Sequence, residues 1–160
     1  MMGMSATGYA IAFAINAIGM VSCTALSGKL VKRYSLEKLI ALGLAVNVTA
    51  VAGIGLVTVS GADIRLMAIC FFFIVASLGF IFGNSTAVAL SAVDRAAVGT
   101  ASAMIGMSQF ALGGIATATA GLSGENSTVA LAIVSAVSAA CALTAFLMAR
   151  KAPVKVHRIG

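Results

Sequence analysis

The 160-residue chain predicts an all-α polytopic membrane protein with five transmembrane helices, on three observations. Five apolar runs, at 9–30, 39–59, 66–93, 97–122 and 129–149, each supply about the 20 residues an α-helix needs to cross a ~30 Å hydrocarbon core. The chain is 61% hydrophobic and 9% charged, with a mean hydropathy of +1.13, and a soluble domain of this size has far more surface to cover with charge. Of the ten Lys and Arg residues, only Arg65 lies in an even-numbered gap; Lys29, Lys32, Arg33 and Lys38 flank or fill the first gap, Arg95 the third, and Arg150, Lys151, Lys155 and Arg158 the tail. The positive-inside rule turns that asymmetry into an orientation, with the N-terminus outside and the C-terminus in the cytoplasm.

Residues 1–160 form one transmembrane domain on this reading, and each helix has its own start and stop. Met1 to Gly8 carry no positive charge ahead of the first run, so it does not resemble a signal peptide. That helix ends in Ser27-Gly28-Lys29-Leu30, followed by Lys32 and Arg33, and the second begins near Leu36. A tight turn at 60–63, containing Gly61, separates the second from the third, which is crowded with Phe71, Phe72, Phe73, Phe80 and Phe82 and exits at Asp94-Arg95. Gly99-Thr100-Ala101-Ser102-Ala103 opens the fourth. The polar segment Ser123-Gly124-Glu125-Asn126-Ser127 leads into an Ala-, Val- and Ser-rich fifth helix that stops at Arg150, and a basic tail, 150–160, carries Pro153 where helix is no longer required. Short connections predict that consecutive helices pack antiparallel as neighbours. The four acidic residues, Glu37, Asp63, Asp94 and Glu125, all fall in or beside loops.

These features exclude several function classes. The +6 net charge comes from residues at helix ends on one side, where they set topology and meet anionic lipid; no platform of exposed aromatics accompanies them, which argues against nucleic acid. Cys23, Cys70 and Cys141 are odd in number and lie in apolar runs, giving neither a disulfide framework nor metal spacing; they read as small packing residues. His157, the single histidine, has no ligand-type neighbour, so no metal or other cofactor is expected. There is no intramembrane carboxylate pair, HExxH, Ser-His-Asp set or phosphate loop, so no enzyme activity is expected. Asn84-Ser85-Thr86 and Asn126-Ser127-Thr128 match the glycosylation pattern, the first inside a helix.

What remains is polar chemistry within the helices. Asn16, Asn47, Asn84 and Gln109 carry amides that need partners in hydrocarbon, either another helix or a wet cavity. Interhelical bonding is the plainer role, above all for Asn47. Gly79 and Gly83 form a GxxxG, and small residues recur at Ser102, Gly106, Gly113 and Gly114, for most of which tight packing is the simpler expectation. Ser102, Ile105, Gln109 and Gly113 fall near one helical face, and Phe80 and Asn84, four apart, share another, so these residues are candidates for a cavity wall.

Three stretches resemble the C-terminal half of a major facilitator superfamily transporter, most nearly the Bcr/CflA group of drug–proton antiporters. Phe13-Ala14-Ile15-Asn16-Ala17 with Gly28-Lys29-Leu30-Val31-Lys32-Arg33-Tyr34 is similar to the eighth helix and the basic loop after it. Gly83-Asn84-Ser85-Thr86-Ala87-Val88-Ala89-Leu90 is similar to the end of the tenth helix, with Gly83 where the family tends to have proline. Val98-Gly99-Thr100-Ala101-Ser102-Ala103-Met104-Ile105-Gly106 with Gln109-Phe110 is similar to the start of the eleventh. The resemblance spans nearly the whole chain and implies the eighth to twelfth helices of a twelve-helix protein.

The resemblance further implies a midplane cavity between two rocking halves, to which the first, third and fourth helices contribute Asn16, Phe80, Asn84, Ser102, Gln109 and Gly113, with the second and fifth helices peripheral. Gly28, Lys32 and Arg33 would act at a cytoplasmic gate. The expected parent activity is efflux of a small amphipathic compound against proton entry across a bacterial inner membrane. The expected chain is a partial transporter, inactive without the missing N-terminal helices. Two alternatives are a half-size subunit that assembles with a partner chain or itself, and a non-transporting membrane interaction protein.

Overall fold

A computed structural model describes residues 6–61, 63–122 and 128–151. Five long helices follow in order: α1 (Ala6–Leu30), α2 (Leu36–Ser60), α3 (Ile64–Ser91), α4 (Val98–Leu122) and α5 (Thr128–Lys151), with a single 3-10 turn at Arg95–Ala97 before α4. All five contain a segment long and apolar enough to cross a membrane, and no strand occurs among the described residues. The fold is therefore an all-α multi-pass membrane architecture. The polar segment 123–127 and the tail 152–160, including Glu125, Asn126, Lys155, His157 and Arg158, lie outside the described residues.

Local chemistry accounts for the helix ends. Leu30 O accepts from both Arg33 N and Tyr34 N at 2.9 Å, winding α1 down just as the basic residues begin. Ser35 caps α2 with extended backbone, and Glu37 places a negative charge in its first turn, where the helix dipole favours one. Gly61 closes α2 at φ 63°, and its N–H bonds to Val57 O; without a Cβ it adopts this left-handed cap at no steric cost. Two residues on, the Asp63 carboxylate accepts from Arg65 N at 2.9 Å and starts α3. A left-handed glycine followed by an acidic cap turns the chain around in three residues.

The core is α3 with α1 on one side and α2 on the other. Asn47 meets Ser77, and the backbone at Gly43 approaches Phe80 while that at Gly53 approaches Cys70, so α2 runs antiparallel to α3. Gly19 meets Phe72, Gly79 meets Met20 and Thr24, and Ser27 meets Asn84, so α1 runs parallel to α3. Helix α5 packs against α2, and its Ala139 is buried. Helix α4 touches α3 and α5 only lightly.

Connection length thus predicts the antiparallel α2–α3 pair but not the neighbours of α1. Helices α1 and α2 are joined by five residues, yet both choose α3 as their main partner. The reason is where backbones can come close. A Cβ on Gly79 would lie 2.6 Å from Met20 O and 2.8 Å from Thr24 N, and one on Gly43 would lie 2.9 Å from the Phe80 Cβ. Close approach of this kind lets van der Waals contact, the main attraction between helices in lipid, operate over a long seam. Helix α2, expected at the periphery, is the most buried of the five within this chain because it has α3 on one face and α5 on another.

Candidate functional site

The six cavity candidates fall into three separate places. Phe80 and Asn84 are both buried on one face of α3. The Asn84 amide donates to Ser27 Oγ at 2.8 Å and to Phe80 O at 2.7 Å, so its N–H groups tie α1 to α3. Asn16, on α1, is half-buried; its Nδ2 donates to Ala12 O at 2.8 Å, and its Oδ1 is buried with no hydrogen-bond partner among the described residues. That unmet acceptor is costly in hydrocarbon.

Ser102, Gln109 and Gly113 stand together on α4, all exposed. No described residue of the α4 span is buried, against 44% of the α2 span, and that span has the lowest mean hydropathy of the five. Three of its hydroxyls are satisfied internally: Ser108 donates to Met104 O, Thr117 to Gly113 O and Thr119 to Ile115 O, each at 2.8 Å. Gly106, Gly113 and Gly114 have open space above them, so their lack of side chains serves no packing among the described residues. Gly83 is equally open, and of the GxxxG pair on α3 only Gly79 is used.

Gly28, Lys32 and Arg33 are exposed at the end of α1 and in the loop beyond it. Helix alternation puts them at the same end of the bundle as Arg95 and Arg150, whose guanidinium sits 5.8 Å over the Phe146 ring. At the opposite end the described charged residues are Asp63 and Arg65.

Between α1, α2 and α3 runs a groove of about 460 Å³, lined by Ile15, Ile18, Val46, Phe72 and Phe73 and reaching Phe80. Its wall is almost wholly hydrocarbon. Neighbouring polar groups bond elsewhere: Asn47 donates to Ser77 Oγ at 3.0 Å, and Ser77 donates to Ile74 O at 2.6 Å. Cys23, Cys70 and Cys141 are free thiols; Cys23 packs beside Gly79 and Cys70 over Gly53. No group of three or more metal-ligating side chains occurs among the described residues.

Ser27 is a partner that the residue patterns did not single out. A signal for it exists: Gly19, Cys23 and Ser27 repeat a small residue every four positions, and all three face α3. Asn47 has the interhelical bonding expected of it. Compared with known proteins, the chain matches no protein family, no curated protein and no solved structure.

Proposed function

We propose that these helices form most of one half of a small-molecule efflux transporter resembling the major facilitator drug–proton antiporters, and that they act only with a second helical wall. The parent activity is antiport of a small amphipathic compound against protons across a bacterial inner membrane, with the basic end of the bundle cytoplasmic. One observation carries this reading. Among the described residues, helix α4 has none buried, the lowest mean hydropathy of the five spans and a Gln109 amide that is exposed and unbonded. An amide left in lipid is expensive, so such a face suits a partly wet, partly apolar cavity closed by another wall.

Coupling is not expected from these helices alone. Proton antiport needs a group that titrates within the membrane and biases access. Glu37, Asp63 and Asp94 lie at or beside helix ends, and no helix centre among the described residues holds a carboxylate, histidine or amine. The purified chain, reconstituted into vesicles under an imposed pH gradient, is expected to move no amphipathic drug. Co-reconstitution with an N-terminal seven-helix portion of such a transporter is expected to restore flux. Saturable gradient-driven transport by the chain alone would overturn the need for a second wall and favour a self-assembling half-size carrier.

A further inference from the structure

We propose that the crevice between α1 and α2, floored by α3, is a binding site for one anionic phospholipid, with an acyl chain in the groove and the phosphate against the Lys29–Lys38 basic cluster. Two independent features converge on it. The first is the groove, about 460 Å³ of space at mid-span with an almost purely hydrocarbon wall. Such a wall fits an alkyl chain and gives a polar solute nothing to bond.

The second is charge complementarity at one mouth of the groove. The groove wall belongs mainly to α1 and α3, with Val46 of α2 at its rim, and the loop joining α1 to α2 lies beyond the groove at that end of both helices. Lys29, Lys32, Arg33 and Lys38 are all exposed there, and Glu37 is the single acid among them. No described residue forms an ion pair with any of the four basic groups, leaving positive charge that a phosphate can neutralise.

The depths agree. Cys23, the groove residue of α1 nearest that end, lies six positions before Lys29, about 9 Å along the axis at 1.5 Å per residue. Val46 on α2 lies eight positions after Lys38, about 12 Å on the same measure. The headgroup layer stands roughly 5–8 Å outside the hydrocarbon, and lysine and arginine stems extend toward it. A chain filling the groove from the Cys23 level therefore carries its phosphate into reach of the cluster. Between the two, the Asn84–Ser27 bond ties α1 to α3, whereas α1 and α2 make almost no contact with each other, so the α1–α2 side is the proposed route for the lipid.

The test is lipid retention by the full chain. Purified in mild detergent, it is titrated with phosphatidylglycerol or phosphatidylcholine and the bound lipid counted by native mass spectrometry. The wild type is expected to hold one phosphatidylglycerol in preference to phosphatidylcholine. Lys32→Gln/Arg33→Gln/Lys38→Gln is expected to weaken retention roughly tenfold or more, since each basic residue contributes separately. Ser22→Phe fills the groove from an exposed position and leaves every charge in place, and is expected to weaken retention comparably with unchanged thermal stability. Arg95→Gln/Arg150→Gln removes charge from the same end but outside the α1–α2 loop and is expected to change nothing. Equal retention of the two lipids, normal retention by Ser22→Phe, or equal loss in the Arg95/Arg150 variant would each overturn the site. So would a lipid-free dimer whose contact buries the groove.

Discussion

Two glycines four residues apart show how little a residue type says about its use. Gly79 is where the α1 backbone comes down on α3, and a Cβ there would stand 2.6 Å from a carbonyl oxygen; Gly83 has nothing within 4 Å. Gly79→Ala is therefore expected to cost about 1–3 kcal/mol through overpacking against backbone that cannot yield. Gly83→Ala is expected to be neutral or stabilising by up to about 1 kcal/mol from helix propensity. Unfolding in mixed micelles measures both, and equal losses would mean that the α1–α3 seam is placed wrongly. The Asn84–Ser27 bond is testable in the same assay. A double-mutant cycle with Asn84→Leu and Ser27→Ala is expected to show coupling of about 0.6–1.7 kcal/mol, the range of interhelical hydrogen bonds in membranes. No coupling would return Asn84 to the pool of residues available for a substrate.

Helices α2 and α4 are alike in length, and α4 is the richer in Ala and Gly, yet they stand at opposite extremes of burial. In α2 the buried residues Leu39, Ile40, Gly43, Leu44, Asn47, Ala50, Val51, Ile54 and Val57 recur at three- and four-residue steps, one broad stripe serving both α3 and α5. In α4 the comparable stripe of Ser102, Gln109 and Gly113 is exposed among the described residues, and Gly113 has open space above it. The two amides should therefore respond differently. In a complete transporter carrying these helices, Gln109→Leu is expected to alter the pattern of drug resistance at normal membrane abundance. Asn47→Leu, which breaks the link to Ser77, is expected to lower abundance while leaving the pattern of the surviving protein unchanged. Immunoblots and resistance assays across several drugs separate the outcomes, and a changed drug pattern from Asn47→Leu alone would reverse the assignment.

For the whole molecule, the decisive asymmetry is charge. Lys29, Lys32, Arg33, Lys38, Arg95 and Arg150 share one end with Glu37 and Asp94, while Asp63 and Arg65 hold the other. On the positive-inside rule, the proposed orientation has the first end cytoplasmic. In a background lacking Cys23, Cys70 and Cys141, a cysteine at Ser60 is expected to react with an impermeant thiol reagent from outside, and one at Ser35 only after the cells are opened. The reverse pattern would invert the orientation and remove the basis for a cytoplasmic gate at Gly28, Lys32 and Arg33.

Hydropathy alone determined that this chain is a set of five membrane-crossing helices, because each run must satisfy its backbone internally over the thickness of a bilayer. The same period-free apolarity hid the packing. In a soluble helix a polar face marks solvent and an apolar face marks the core. Here both faces are apolar, and burial depends on where backbones approach. That left the choice of α3 as hub, the use of Gly79 but not Gly83, and the Ser27–Asn84 link to the tertiary structure. Asn47, an amide with few alternatives to a neighbouring helix, was legible from chemistry; Phe80 and Asn84 were legible as a pair on one face, but not as part of a seam with α1. The separation of that seam from Ser102, Gln109 and Gly113 was decided by packing alone, since residues far apart in sequence share a wall only when close helix contact brings them together.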